Sequence, residues 1–379
     1  MNKNYAKLIM LLFILMLSPV NTLEFEVSTS SQSGIEVIVD MDAAKDDWAS
    51  ILYLLKHPDI NVLGIGVSCG VSYVDQGTMN TLRILDYLEI RDIPVAAGKE
   101  TPLIVDHEFP SAWRDASHWF YGLDLPETDL APSPMNASDL IISLIENSSG
   151  NVTIVALGPL TNVAIALETE PSIKSKIDEI VLMGGALDVL GNVGLESEIN
   201  NDVAEWNLWV DPHAADIVLK SGLPIMMVPL DATNQVPQTN AFLDRLESIM
   251  KTIEAQLLYE MTTVGLYFWD QLTVVALTNP EVVTLESHYI EIVVDLAEHE
   301  GQTISTDIEN PNAWVAMSAD RFLFEDLFIG YINDDLPTPT VTTTSEPIDD
   351  SDFDPLIIYL AIGGLGLLII IIIILKKNR

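Results

Sequence analysis

The chain has 379 residues, with 56 Asp and Glu against 17 Lys and Arg, a net charge of -39 at pH 7. A field of that sign repels phosphate backbones, which excludes nucleic acid and polyanionic substrates and leaves neutral or cationic ligands. Hydrophobic residues make up 49% and charged residues 19%, so the chain can bury a sizeable core and does not have the composition of a disordered one.

Residues 1–22 read as a secretory signal peptide. Lys3 and Lys7 precede the apolar run Leu8 to Leu17, and Ser18 to Thr22 supply the small residues of a cleavage region. From Ile35 onward, short β-branched runs alternate with longer amphipathic segments. This predicts an α/β domain over residues 34–333, built on a mainly parallel central sheet flanked by helices. The first strand is expected at Ile35 to Asp40. A helix follows from Lys45 to His57, with Trp48, Ile51, Leu52 and Leu55 on one face and Pro58 as its stop. Between them lies Asp40-Met-Asp42-Ala-Ala-Lys45-Asp46-Asp47, four carboxylates in eight residues at a strand end and a helix start.

An acid at a helix N-terminus is favoured by the dipole and by capping, which accounts for Asp46 or Asp47 but not for Asp40 and Asp42 as well. The cluster therefore predicts a divalent cation. Oxygen-only ligation points to Ca2+ or Mg2+, and the larger, more tolerant Ca2+ suits a carboxylate cage. Two other chemistries remain open at this point. A strand ending in Asp-x-Asp also opens haloacid-dehalogenase-type phosphatases, although Ala43 and Ala44 depart from their pattern. Gly66-Val-Ser68-Cys-Gly70, after a second strand at Val62 to Val67, matches the nucleophile elbow of serine esterases, with His288 or His299 as conceivable partners. The six histidines have no zinc spacing, and the single Cys69 rules out an intrachain disulfide.

Further strands are expected at Val152 to Leu157, Glu179 to Met183, Pro224 to Leu230 and Tyr289 to Asp295. Polar residues gather where strands end, which is where α/β sheets bind ligands. They are Leu157-Gly-Pro-Leu-Thr-Asn162, Met183-Gly-Gly-Ala186, Gly191-Asn192, Glu205-Trp-Asn207, Leu230-Asp-Ala-Thr-Asn234 and Trp269-Asp270. Sequons at Asn136, Asn147 and Asn151 suit an exported surface. After the domain, residues 335–354 form a Pro/Thr-rich acidic stalk. Residues 356–375 are uninterrupted by charge and would span about 30 Å as a helix, and the basic tail 376–379 follows. The order predicts a single-pass type I protein of the cell membrane, with its domain facing outward.

Taken together, the Asp-x-Asp-x-x-x-Asp-Asp run and the segments after it resemble the inosine-uridine nucleoside hydrolase family, from roughly Val37 to Asn310. Phe109-Pro-Ser-Ala-Trp113-Arg, Ala204-Glu-Trp-Asn207, Leu230 to Pro237 and Phe268-Trp-Asp270 resemble its purine-preferring inosine-adenosine-guanosine branch. The resemblance implies a Rossmann-like fold, a nucleoside substrate and a homodimer or homotetramer. It implies Ca2+-dependent hydrolysis of the N-glycosidic bond of purine ribonucleosides, a salvage reaction. By it, Asp42, Asp47, the carbonyl of Leu157 and Asp270 would ligate Ca2+, and Asp42 would also take a proton from the attacking water. Asp46, Asn192, Glu205 and Asn207 would bind the ribose hydroxyls. Trp113 and Trp269, with Trp119 as a substitute for Trp113, would sandwich the base. Two departures stand out: relatives carry Pro-Gly at Ala43-Ala44, and an Asn or Asp at Val71 or Ser72. A catalytically silent nucleoside-binding surface protein of the same fold is the remaining alternative.

Overall fold

The computed structural model describes residues 34–195, 197–295, 298–306 and 310–335. The first half alternates strand and helix: β1 (Ile35–Met41), α1 (Lys45–Lys56), β2 (Ile60–Val67), α2 (Val74–Tyr87), β3 (Val95–Ala97), α3 (Ser111–His118), α4 (Ala137–Asn147), β4 (Val152–Ala156), α5 (Thr161–Thr169) and β5 (Ile177–Met183). The second half continues with α6 (Trp206–Val210), α7 (Pro212–Leu219), β6 (Ile225–Val228), α8 (Leu230–Thr233), α9 (Asn240–Ile249), α10 (Ile253–Met261), α11 (Trp269–Thr278), β7 (Val283–Ile292), β8 (Thr303–Thr306), β9 (Ala313–Ala319) and α12 (Arg321–Ile332).

These strands form one sheet in the order β3-β2-β1-β4-β5-β6-β9-β7-β8. All pairings from β3 through to β9 are parallel, and β7 runs antiparallel to both β9 and β8. A parallel sheet must be covered on both faces, so its inner strands are apolar throughout rather than alternating. All five residues of β4, Val-Thr-Ile-Val-Ala, are buried. Two apolar layers lie against the two faces, one containing Val39, Trp48, Leu52 and Phe268, the other Ile38, Ile154, Val163 and Val218.

The strand order runs outward in both directions from β1 and β4. The chain winds one way through β2 and β3 and the other way through β5 and β6, so the crevice between the carboxyl ends of β1 and β4 is the topological switch point. Asp42 follows β1 there and Leu157 follows β4.

The α/β expectation holds, with adjustments at the boundaries. The strand expected at Pro224 to Leu230 stops at Val228. Pro229 has no N–H to donate and Leu230 opens the short helix α8, which is capped from Pro229. The strand expected at Tyr289 to Asp295 begins earlier, at Val283, because its partner β9 pairs with it from Val283 to His288.

The membrane placement is corrected. No helix among the described residues is long and apolar enough to cross a membrane. The longest of them, α2, has 14 residues, or roughly 21 Å against the ~30 Å of a hydrocarbon core. A cell-membrane localisation and a membrane partner are therefore not retained. The signal segment 1–22, the stalk beyond Asp335, the span 356–375 and the tail 376–379 lie outside the described residues.

Candidate active site

A cavity of about 780 Å³ opens at the switch point. Its floor is made by the first acidic motif. Ala43 takes a left-handed backbone, φ 62°, which turns the chain sharply out of β1. Ala44 N then donates to Asp47 Oδ2 at 2.7 Å, and the Ser117 hydroxyl donates to Ala43 O at 3.0 Å. The turn delivers Asp46 and Asp47 to the first turn of α1, beside Asp42.

Oxygens of Asp46, Asp47 and Asp270 lie within 4.8 Å of one another. Asp42, Asp46 and Asp270 line the cavity, while Asp47 is fully buried beneath it. Asp47 Oδ1 has no hydrogen-bond partner. A buried carboxylate oxygen left unpaired costs free energy unless a ligand meets it, and only a cation or a proton can do so among so many acids. Asp42 keeps one oxygen on a backbone donor, Val71 N at 2.9 Å, and so holds its other oxygen toward the cluster.

The electrostatics follow from burial. Desolvation, eased by the Asp47 contact and by Val71 N, leaves Asp42 raised to about 6. Desolvation and the Asp42 charge raise Asp46 to about 7. Asp47 is held well above the usual carboxylate range by burial and then by Asp270, Asp42 and Asp46, and Asp270 likewise by burial and by Asp46. These acids cannot all ionise together at neutral pH without a cation, and an all-oxygen donor set fits a hard one such as Ca2+. Arg114, a buried residue of α3 whose guanidinium pairs with Glu100 at 2.6 Å, lowers Asp42 as well, as the smallest of these causes.

Around this floor stand the other residues expected from the sequence. Leu157 contributes its carbonyl, which accepts from Asn207 Nδ2 at 2.9 Å and retains a second lone pair. The same amide nitrogen donates to Met183 O at 3.3 Å, so Asn207 ties the ends of β4 and β5 together. Glu205 caps α6: Oε1 accepts from Asn207 N at 2.8 Å, and Oε2 from Gly185 N and Leu208 N. Burial still raises its carboxyl to about 7. Asn192 accepts from Trp206 N at 3.1 Å. Each of these side chains also lines the cavity.

Trp113 on α3 and Trp269 on α11 line the same cavity, the first packed edge-on against Trp206 at 5.3 Å, the second 6.0 Å from Tyr267. Trp119, 74% exposed, lines the same cavity as a third indole. Val71 lines the wall, and its backbone N–H is the donor to Asp42.

Neither competing chemistry finds its geometry. Ser68 is fully buried, with its hydroxyl on Met41 O at 3.3 Å, while His288 and His299 contact Ser305 and Gln302 elsewhere. The second glycine of the apparent elbow serves the acid: a Cβ on Gly70 would lie 2.1 Å from Asp42 Oδ2. Asp40, the nucleophile of a phosphatase reading, is 1% exposed and bound by Asn162 Nδ2 at 2.9 Å. It cross-links β1 to α5 and does not line the cavity. The glycine argument is testable: Gly70→Ala is expected to cost about 100-fold in kcat/KM, because displacing a carboxylate of the cavity floor by an ångström has that scale. Unchanged turnover by a folded Gly70→Ala protein would refute it.

Lys45, Tyr121, Gln238 and Gln271 also line the cavity, and sequence reasoning did not select them. Lys45 could have been noticed as the one cation inside the acidic motif. The other three sit outside any strand-end motif.

A family model described as inosine-uridine preferring nucleoside hydrolase matches residues 37–326. The pyrimidine-specific ribonucleoside hydrolase RihA of Salmonella schwarzengrund is 35% identical over 313 residues, covering 78% of this chain and 97% of that one. Among solved structures, the plant nucleoside hydrolase PpNRh1 superposes with a TM-score of 0.71 at 28% identity, covering 79% of this chain and 99% of the other. A purine-preferring ribonucleoside hydrolase from Gardnerella vaginalis does so with a TM-score of 0.70 at 28% identity, covering 79% and 98%.

Proposed function

The chain belongs to the inosine-uridine preferring nucleoside hydrolase family and is a ribonucleoside hydrolase, and from that premise we propose that it is Ca2+-dependent and prefers purine ribonucleosides, releasing base and ribose for salvage. The observation that carries the metal half is the convergence of half-buried Asp46 with buried Asp47 and Asp270, together with a partnerless Asp47 Oδ1; Asp42 stands beside this group and not within it. Asp42, Asp47, Asp270 and the Leu157 carbonyl hold the ion. Bound there, Ca2+ supplies neutralising charge and Lewis-acid activation of water. Asp42, whose carboxyl is raised to about 6 by burial, receives the proton of the attacking water. Asp46, Asn192, Glu205 and the Asn207 amide hold the ribose hydroxyls, and the surrounding carboxylates favour the positive charge that builds on the sugar as the bond to the base breaks.

The base half rests on Trp113 and Trp269, two indoles lining one cavity with a third at its rim. A purine offers a larger face than a pyrimidine to such walls, and stacking on indole favours the protonated base as leaving group. Trp269→Ala is expected to lower kcat/KM for inosine about 10- to 100-fold, the usual worth of one base–aromatic stack, and to lower that for uridine much less. Equal losses on both would remove Trp269 from specificity. The 35% identity to a pyrimidine-specific hydrolase favours a second reading, in which uridine and cytidine are the better substrates. A panel of inosine, guanosine, adenosine, uridine and cytidine, each with Ca2+ and with chelator, decides between them. Activity that survives complete chelation would end the metal proposal.

A further inference from the structure

Phe120, Tyr121 and Gly122 are three consecutive residues in left-handed backbone, with φ of 56°, 50° and 82°. Glycine adopts this freely, but Phe and Tyr do so at a cost in free energy that something must offset. Phe120 has its account in packing: it is 2% exposed, meets Trp48 edge-on at 4.8 Å, and carries the Arg83 guanidinium over its ring at 5.0 Å. Tyr121 packs less deeply against the same apolar layer, with Ser117 placed to hydrogen-bond its phenol. It is only half-buried, 6.1 Å from Trp48, with the Lys45 ammonium 5.2 Å above its ring. Its side chain lines the cavity, next to Lys45 and Asp46. The carboxylates of Asp46 and Asp42 are near enough to act on its phenol. An Asn or Gly would hold the same backbone with less strain. What neither of those would supply is a phenol beside Lys45 and Asp46 in the cavity wall.

We propose that Tyr121 is a specificity-determining residue whose hydroxyl contacts one hydroxyl of the bound sugar. This rests on the nucleoside hydrolase reading above and adds to it a residue from the segment after α3. The phenol both donates and accepts, as a sugar hydroxyl does. Its neighbour in the cavity is Asp46, one of the groups assigned to the ribose, whereas the base walls come from α3 and α11. The segment's anchoring by Phe120 would hold the phenol at a fixed height over the sugar and leave Trp119 free at the mouth.

The test compares wild type with Tyr121→Phe on inosine and on its 2′-deoxy, 3′-deoxy and 5′-deoxy analogues, with melting temperatures read alongside. The expected result is a loss of about 10-fold in kcat/KM on inosine, one hydrogen bond's worth, at an unchanged melting temperature. On one of the three deoxy analogues that loss should collapse to within about two-fold, since the partner is already missing. Tyr121→Asn, which accepts the left-handed backbone, should keep the fold and lose at least as much activity. An active wild type with Tyr121→Phe unaffected, or reduced equally on inosine and every analogue, overturns the assignment of Tyr121 alone. A wild type that releases base from no nucleoside overturns the underlying reading and this inference with it.

Discussion

Asp42→Asn is expected to abolish turnover, with kcat/KM falling by at least about 10³-fold, while leaving the protein as stable as before or more so without metal. The activity loss combines two effects. An amide cannot take a proton from water, and removing a positioned base alone costs roughly 10²- to 10⁴-fold. An amide is also a weaker ligand for a hard cation, so the Ca2+ needed for half-maximal activity should rise. The stability half follows from the geometry. Asn is isosteric and can still accept from Val71 N, the 2.9 Å bond that fixes this side chain. What it removes is one of the charges that raise Asp46, Asp47 and Asp270. Asp42→Ala would be the poorer experiment, because it also leaves the buried Val71 N–H without its partner. Activity assayed over a Ca2+ titration, with melting temperature measured in chelator, checks both halves. Retained turnover by a folded Asp42→Asn protein would remove Asp42 from the chemistry, and a large drop in metal-free melting temperature would contradict the electrostatic account of the cluster.

What the sequence disclosed and what it withheld divide along a physical line. The acidic motif was legible because its carboxylates are close in sequence, and mutual repulsion at a strand end already demands a cation. Asp270, more than two hundred residues away, became a ligand candidate only through resemblance, since nothing local distinguishes it from a helix-starting acid at α11. Leu157 acts through its carbonyl, which no side-chain pattern can reveal. The Gly66-x-Ser68-x-Gly70 match fails for the complementary reason: the residue that needs Gly70 is Asp42, just past the end of the neighbouring strand, and a linear motif does not see across a sheet. Of the strands, β3 has three residues and β9 reads Ala-Trp-Val-Ala-Met-Ser-Ala, so neither carries a strong β-branched signal. Their places are set by pairing with β2 and β6. Tyr121 is the extreme case, because its position depends on two unfavourable backbone angles that only the folded surroundings can hold.

The same cluster makes the metal-free protein's stability fall as pH rises. Asp42 is raised from 3.8 to about 6 and Glu205 from 4.5 to about 7, both chiefly by desolvation. Between the unfolded and folded values the native state binds more protons than the unfolded one, so the free energy of unfolding decreases with pH across that window. Below about pH 4 both states are protonated, and this penalty is absent. Above about pH 7 the penalty is complete, at roughly 1.4 kcal/mol for each tenfold change in proton affinity, which is on the order of 6 kcal/mol over these two groups. In chelator the melting temperature should therefore be higher at pH 5 than at pH 7.5 by several degrees. Ca2+ must reverse the trend: it binds the ionised form of the folded site, displaces protons, and stabilises by mass action, so the increment it adds should grow from pH 5 to pH 7.5. Melting curves at those two pH values, with Ca2+ and with chelator, make a four-point cycle. A Ca2+ increment that is the same at both pH values would mean that the ion is not held by these carboxylates, and the cage of Asp42, Asp47 and Asp270 would have to be given up even if the enzyme proved active.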